Sequence, residues 1–279
     1  VRFSSNAVGD TVEEVIAGMN DGSVILLENT RFDPGEKSND EDFAQALAAL
    51  ADIYVNDAFG AAHRAHASTA GVAKFVERAA MGRLMESEIE ALTKVRDNPD
   101  HPMVAILGGA KVSDKLGTIR ALGQTADHLL IGGAMSYTFL KALGHDVGAS
   151  RVEEDRLDTA ESLYEGTEGR LVLPSDHVVA EDLDEDAEAS VVDGDIPEDL
   201  MGLDIGPETI ETYRDALDGA ATIVWNGPMG VFEIEKFAKG TMAIAEAVGD
   251  ATDDGAFSVV GGGDSVSALS RSGFTDRIS

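Results

Sequence analysis

The 279-residue sequence contains no cysteine, which excludes a disulfide framework and a thiolate metal site. It is also poor in aromatic residues (5%) and in basic residues, with 21 Lys and Arg against 52 Asp and Glu. A nucleic-acid partner is disfavoured, since no basic face exists to neutralise a phosphate backbone. No apolar run approaches the length of a membrane span, and the first residues lack a signal-peptide pattern. We therefore expect a soluble, cytoplasmic protein without a membrane partner.

The acid excess gives a formal charge of −31 at pH 7, and the stretch from Glu181 to Asp204 holds eleven acidic residues and no Lys or Arg. A disordered acidic tail is one interpretation, but hydrophobic runs occur throughout the chain. The other interpretation is a folded protein with a densely charged acidic surface. Repulsion among these charges destabilises a compact state unless counterions screen it. At molar salt the Debye length is only about 3 Å. We favour a protein of a salt-rich cytosol.

Four apolar runs in the second half of the chain each lead into glycine. They are Met103–Leu107 before Gly108-Gly109, His128–Ile131 before Gly132-Gly133, Thr222–Asn226 before Gly227, and Phe257–Val260 before Gly261-Gly262-Gly263. Taken alone, each turn is more often plain strand-to-helix geometry than a binding site. Together they predict a parallel sheet with glycine turns along its carboxyl edge, where open α/β sheets bind ligands.

The first of these units carries the clearest anion-binding pattern. A helix is predicted to begin at Ala110, which would place Lys111 and Lys115 on one helical face. Solvated surface lysines are the plain alternative. Lysine is scarce, however, and two lysines at the amino end of a helix oppose its dipole unless an anion compensates. No glycine turn matches a Walker P-loop or the dinucleotide fingerprint.

Arg31 and Arg64 each follow the end of a predicted strand, and His63 and His66 flank Arg64. These two arginines could form ordinary surface ion pairs, which is the more common case. Alternatively, they could form a pocket for a second anion, because a guanidinium group binds phosphate bidentately. Asp264 is either a helix N-cap or a ligand of Mg²⁺. Glu233 either pairs with a ribose hydroxyl or faces water.

A predicted amphipathic helix, Met81 to Val95, is followed by Asp97-Asn-Pro-Asp-His-Pro102, the best candidate boundary between domains. We expect a domain at 1–80, a connecting helix at 81–97 and a second domain at 98–279.

Five long motifs occur in the order in which the phosphoglycerate kinase family has them. They are Leu27-Glu-Asn-Thr-Arg-Phe32, Val55-Asn-Asp-Ala-Phe-Gly60 with Ala62-His-Arg-Ala-His66, Gly108-Gly-Ala-Lys-Val-Ser-Asp-Lys115, Trp225-Asn-Gly-Pro-Met-Gly-Val-Phe-Glu233 and Gly261-Gly-Gly-Asp264. The chain resembles that family over essentially its whole length. The acid excess suggests a halophilic archaeal type. The resemblance implies an α/β fold of two doubly wound domains with parallel sheets, joined by a long interdomain helix.

The resemblance also implies a set of site residues. Arg31, His63 and Arg64 would bind 3-phosphoglycerate or 1,3-bisphosphoglycerate, and Lys111 with Arg64 would be catalytic. Asp264 would bind the Mg²⁺ that accompanies ADP or ATP. The implied nucleotide-binding residues are Gly109, Lys111, Lys115, Gly132, Gly133, Gly202, Leu203, Asn226, Glu233, Gly262, Gly263, Asp264 and Ser265.

The implied reaction is reversible phosphoryl transfer between 1,3-bisphosphoglycerate and ADP, in line, after hinge closure of a monomer. No general base is needed, because the attacking oxygen is already ionised, which agrees with the lack of an evident acid–base pair. The family has segments before Val1 and after Ser279, so we expect a partial sequence that does not turn over by itself. Two alternatives remain: a nucleotide-binding module without catalysis, and a dinucleotide oxidoreductase, which the missing fingerprint disfavours.

Overall fold

A computed structural model describes residues 1–279 and divides the chain into two compact units, Val1–Thr93 and Lys94–Ser279. The predicted domain limits, 1–80, 81–97 and 98–279, stay a prediction. None of the helices combines the length and the apolar character needed to cross a bilayer.

The first unit contains two small parallel sheets, β1–β2 and β3–β4, and short helices. Its elements are β1 (Arg2–Phe3), α1 (Asp10–Ala17), β2 (Ile25–Leu26), α2 (Pro34–Ser38), α3 (Glu41–Ala48), β3 (Ile53–Asn56), α4 (Phe59–Ala62), β4 (Arg78–Met81) and α5 (Arg83–Asp97), which continues into the second unit. The core is a small cluster around Phe43 and Ala67. The apolar run Val24–Leu27 would suit a buried strand, but its strand β2 pairs on one side only, and Leu26 is exposed.

The second unit is built around a five-stranded parallel sheet with the order β12-β11-β5-β6-β7. Its elements are β5 (Met103–Leu107), α6 (Leu116–Thr125), β6 (His128–Ile131), α7 (Met135–Ala142), α8 (Leu157–Gly166), β7 (Leu171–Val172), β8 (Asp176–Ala180), β9 (Ser190–Asp193), β10 (Met201–Ile205), α9 (Pro207–Leu217), β11 (Thr222–Asn226), α10 (Lys239–Asp253), β12 (Phe257–Gly261) and α11 (Gly263–Ser272). The predicted parallel sheet with glycine at its carboxyl ends is confirmed.

The central strand β5 shows why this sheet is covered by helices on both faces. All five of its residues are fully buried. Because side chains alternate along a strand, Val104 and Ile106 pack into one cluster, with Ile244 of α10. Met103, Ala105 and Leu107 pack into another cluster, beneath α6, α7 and α8. A continuous apolar strand is typical of such a doubly wound sheet.

The acidic stretch from Glu181 to Asp204 is not a tail. It contributes β9 and most of β10 to a three-stranded antiparallel sheet, in which β8 is the central strand. This sheet places Gly202 and Leu203 of β10 beside the carboxyl edge of the parallel sheet, as the cavity described below shows.

Candidate functional site

The glycine turns of the second unit exist because neighbouring loops touch backbone to backbone. A side chain on Gly108 would overlap the carbonyl oxygen of Pro228, and one on Gly227 would overlap that of Gly108. One on Gly133 would meet the backbone of Gly109. Gly109, Gly133 and Gly227 also have positive φ angles of 116°, 66° and 105°. The glycines therefore close the carboxyl edge of the sheet tightly.

The segment after Leu107 departs from the prediction. Residues 110–115 form bends and a turn, and α6 begins only at Leu116. The turn buries Val112 completely, and the N–H of Lys115 donates to the carbonyl of Val112 at 2.9 Å. The prediction of a helix from Ala110 was wrong, and Lys111 does not share a helical face with Lys115.

Glu153 holds the loop that carries Lys111. Its carboxylate accepts hydrogen bonds from the N–H of Ser113 at 3.0 Å and from the Ser113 hydroxyl at 2.6 Å. The N–H of Glu153 donates in turn to the Thr138 hydroxyl on α7 at 3.1 Å. Burial raises the pKa of Glu153, but the hydrogen bonds from Ser113 and Val112 and the charge of Lys111 outweigh it and lower the pKa overall. The loop is therefore fixed from outside rather than by helical hydrogen bonds.

The side chains of Lys115, in the turn before α6, and of Asn226, the last residue of β11, meet at this edge of the sheet. The ammonium of Lys115 donates to the side-chain oxygen of Asn226 at the end of β11. Burial lowers the pKa of Lys115, and the carboxylates of Asp114 and Asp264 oppose that shift. A partly desolvated cation is less screened than a surface cation, so an anion that reaches it is bound more strongly.

A cavity of ≈350 Å³ opens at this edge of the sheet, within the size range of small-molecule sites. Six predicted nucleotide residues line it: Gly109, Gly133, Gly202, Leu203, Glu233 and Asp264. The others lie outside its lining: Lys111, Lys115, Gly132, Asn226, Gly262, Gly263 and Ser265. The N–H of Val231 donates to the carbonyl of Leu203 at 2.9 Å, which ties the loop carrying Glu233 to β10.

The turn before α11 separates an exposed residue from a buried one. The N-cap residue is Gly262, with φ of 92°, so Asp264 is not the N-cap but lies exposed in the first turn. The neighbouring Ser265 is fully buried, and its hydroxyl accepts the N–H of Gly227 at 2.6 Å. Asp264 is therefore available to a ligand, whereas Ser265 holds the adjacent loop.

In the first unit, Arg31 lies in a short 3₁₀ turn after β2, and Arg64 follows α4. Both are exposed, and neither pairs with a carboxylate, although the chain has 52 acidic residues. The Nε of Arg64 donates to Nε2 of the exposed His63 at 3.3 Å. The alternative of ordinary surface ion pairs is not realised for these two arginines.

A buried carboxylate links the segments that carry these arginines. Glu36 of α2, only 2% exposed, accepts hydrogen bonds from the N–H of Ser68 at 2.9 Å and from its hydroxyl at 2.6 Å. It also lies 3.5 Å from Nδ1 of His66. Since α2 follows the Arg31 turn and Ser68 follows Arg64, this contact joins the two segments.

Sequence reasoning missed Glu36 and Glu153, because each acts through a partner 32 or 40 residues away. It also missed Arg151, which lines the cavity. The scarcity of basic residues was the one signal that pointed to Arg151.

Comparison with known proteins gives a consistent result. The family model described as Phosphoglycerate kinase matches residues 1–279. The phosphoglycerate kinase of Salinibacter ruber is 80% identical over 279 residues, which is 100% of this chain and 70% of that protein. That of Picosynechococcus sp. is 51% identical over 280 residues, again 100% of this chain and 70% of the relative. The chain thus spans about 70% of the length of these relatives.

Solved structures agree in fold. A structure of phosphoglycerate kinase from Coxiella burnetii superposes with a TM-score of 0.84 at 46% identity, over 92% of this chain and 66% of that one. The crystal structure of the Pyrococcus horikoshii OT3 enzyme gives a TM-score of 0.83 at 33% identity, over 97% of this chain and 70% of that one.

Proposed function

The chain belongs to the phosphoglycerate kinase family, and we propose that its two units supply that family's two anion-binding sites through the residues described above. The family reaction is the reversible transfer of a phosphoryl group between 1,3-bisphosphoglycerate and ADP in glycolysis, giving 3-phosphoglycerate and ATP. We propose a monomer that acts in the cytoplasm.

The nucleotide is proposed to lie in the ≈350 Å³ cavity of the second unit, and this cavity is the observation that carries the assignment. Gly109 and Gly133 allow close approach of the ligand to backbone. Lys115 contacts Asn226, and its charge interacts with that of Asp264. The phosphate chain is proposed to lie beside these three residues. Glu233 is exposed at the cavity and is proposed to bind the ribose.

The phosphoglycerate is proposed to bind to the first unit through Arg31, His63 and Arg64. Two exposed guanidinium groups without carboxylate partners match a phosphate bidentately. In a protein with a formal charge of −31, such uncompensated cations are where an anionic metabolite is least repelled.

Phosphoryl transfer requires the protein to position the two substrates and to supply positive charge, and it does not require covalent catalysis. Lys111 is exposed on a loop that Glu153 fixes, and we propose that it follows the phosphoryl group between donor and acceptor. Arg64 is proposed to assist from the glycerate side. Hinge closure, which the family resemblance implies, would exclude water and strengthen these contacts.

Mg²⁺ is proposed to accompany the nucleotide, with Asp264 as its protein ligand. No group of three or more potential ligands exists that would hold a metal by itself. A single exposed carboxylate fits Mg²⁺, which takes one or two carboxylates and shares its remaining positions with phosphate oxygens and water. When bound, the ion neutralises charge on the phosphates.

A coupled assay with ATP, 3-phosphoglycerate and Mg²⁺ at molar KCl tests the proposal. Measured on the full-length protein that contains this chain, the assay should show ADP formation that depends on both substrates. Arg31→Ala and Arg64→Ala should raise KM for 3-phosphoglycerate without changing the Kd of Mg-ADP. The control is Arg78→Ala, an exposed arginine on β4 of the same unit. Tight nucleotide binding with no transfer would favour the binding module instead.

A further inference from the structure

The cavity assigned to the nucleotide has a single basic residue in its lining, Arg151. Arg151 is exposed and has no carboxylate partner. The acids that follow Arg151 most closely in the sequence are engaged elsewhere, Glu153 with Ser113 and Glu154 with Lys141 at 2.6 Å. The Arg151 guanidinium is therefore uncompensated within a strongly acidic protein.

Two hydrogen bonds hold the residues just before Arg151 in place. The preceding residue, Ser150, accepts the N–H of Gly202 at its hydroxyl at 2.9 Å. The N–H of Ala149 donates to the carbonyl of Leu200 at 2.8 Å. Arg151 is consequently held beside the start of β10, where Gly202 lines the cavity.

The strand order of the sheet shows at which end of the cavity Arg151 lies. Asp264 follows β12 at the edge of the sheet, whereas Gly133 follows β6, three strands further along. The helix that begins after Gly133 carries Tyr137, and Tyr137 packs so closely on Gly202 that a side chain there would overlap its hydroxyl. Arg151 thus belongs to the end of the cavity away from Asp264, which is the end left for the base.

An arginine at this position has a definite chemical preference. Guanidinium carries five N–H donors and no acceptor. Guanine presents two adjacent acceptors, O6 and N7, to such a fork, whereas adenine presents one acceptor, N7, beside the donor group N6.

We infer that Arg151 is a specificity-determining residue that contacts the purine base and lets the site accept guanine as well as adenine nucleotides. The inference rests on the proposed function, because it takes the cavity to be the nucleotide site.

Calorimetric titration of the protein at molar KCl with Mg-ADP, Mg-GDP and Mg-pyrophosphate tests this inference without requiring turnover. We expect wild-type protein to bind Mg-GDP within about tenfold of Mg-ADP. Arg151→Leu should weaken Mg-GDP at least about fivefold more than Mg-ADP, the lower end of what a bidentate pair contributes. Mg-pyrophosphate, which has no base, should bind equally well to both proteins.

Two further variants separate charge from shape. Arg151→Lys keeps the charge and donors but loses the planar fork, so it should weaken Mg-GDP binding less than Arg151→Leu does. Arg156→Leu removes an arginine outside the cavity lining, one that pairs with Asp155, and should leave all three ligands unchanged. Circular dichroism of each variant would check that it is folded.

The inference is overturned if Arg151→Leu weakens Mg-pyrophosphate, since Arg151 would then be a phosphate ligand. It is also overturned if Arg151→Leu weakens Mg-ADP and Mg-GDP equally, or neither. If the wild-type protein binds Mg-ADP but discriminates against Mg-GDP by far more than tenfold, only this inference fails. If it binds no nucleotide at all, the proposed function fails with it.

Discussion

Ser113 donates two hydrogen bonds to the carboxylate of Glu153, one from its N–H at 3.0 Å and one from its hydroxyl at 2.6 Å. Ser113 lies two residues after Lys111 in a loop that precedes α6. The position of Lys111 therefore depends on a side chain from another part of the unit, not on a helix of its own.

In the full-length protein, Glu153→Ala should lower turnover at least about tenfold, about 1.4 kcal/mol of barrier, while Kd for Mg-ADP stays within about threefold. The reason is that the loop loses the acceptor that fixes Lys111, whereas the cavity lining is untouched. The control is Glu154→Ala, which removes only an exposed ion pair with Lys141. Equal losses of turnover in both variants would contradict this positioning role.

Two buried groups should give stability an unusual pH dependence. Burial raises the pKa of Asp204 from 3.8 to about 8, despite hydrogen bonds from Gly240 and Ile205, so between these values the folded state holds a proton that the unfolded chain has lost. The free energy of unfolding therefore falls as pH rises through that window. Burial lowers the pKa of His177 from 6.5 to about 4, and its contribution rises with pH in that lower window. Above about pH 6.5 only the fall due to Asp204 remains.

We expect the free energy of unfolding to decrease from pH 6.5 to 8, by at most about 1.4 kcal/mol per pH unit. Denaturant unfolding at fixed molar KCl measures it. Asp204→Asn should flatten this slope even if it lowers stability overall, and Asp254→Asn, an exposed carboxyl, should preserve the slope. A slope unchanged in Asp204→Asn would assign the effect to another group.

Gly108→Ala should weaken Mg-ADP binding at least about tenfold and lower the free energy of unfolding by about 1–3 kcal/mol, the usual range for overpacking. The added methyl would overlap the carbonyl oxygen of Pro228 and force the glycine loops apart. Gly117→Ala is the control, because Gly117 lies in α6 with open space around it. That change should be neutral or slightly stabilising. Normal Mg-ADP affinity in Gly108→Ala would show that the loop contact is not needed.

The acidic surface predicts dependence on salt. Lowering KCl from molar to about 0.1 M lengthens the Debye length from about 3 Å to about 10 Å, so more of the repulsion among 52 acidic residues is felt. We expect Tm to fall on dilution, as followed by circular dichroism. A Tm that does not change would reject adaptation to high salt.

Much of the second unit could be predicted from the sequence. A strand that is buried on both faces requires a continuous apolar run, such as Met103–Leu107, and glycine follows the end of each such run. The loop from Ala110 was mispredicted as a helix. Its actual form depends on burial of Val112 and on the distant Glu153, and neither constraint is visible in local spacing.

The candidate site divides in the same way. Motif residues such as Lys115, Asn226 and Asp264 could be named as candidates because they lie within recognisable segments. Arg151 and Glu36 could not be named in this way. Arg151 is placed by the hydrogen bond between its neighbour Ser150 and Gly202, and Glu36 acts through Ser68. Each of these contacts joins residues that are far apart in the sequence.

The most direct test of the central claim is phosphoryl transfer by the Lys111→Ala variant of the full-length protein, measured beside its Mg-ADP affinity. We expect turnover between ATP and 3-phosphoglycerate to fall far more than about tenfold, while Kd for Mg-ADP stays within about threefold, because Lys111 would stabilise the moving phosphoryl group rather than the bound nucleotide. Turnover within about tenfold of the wild-type value, about 1.4 kcal/mol of barrier, would contradict that role for Lys111.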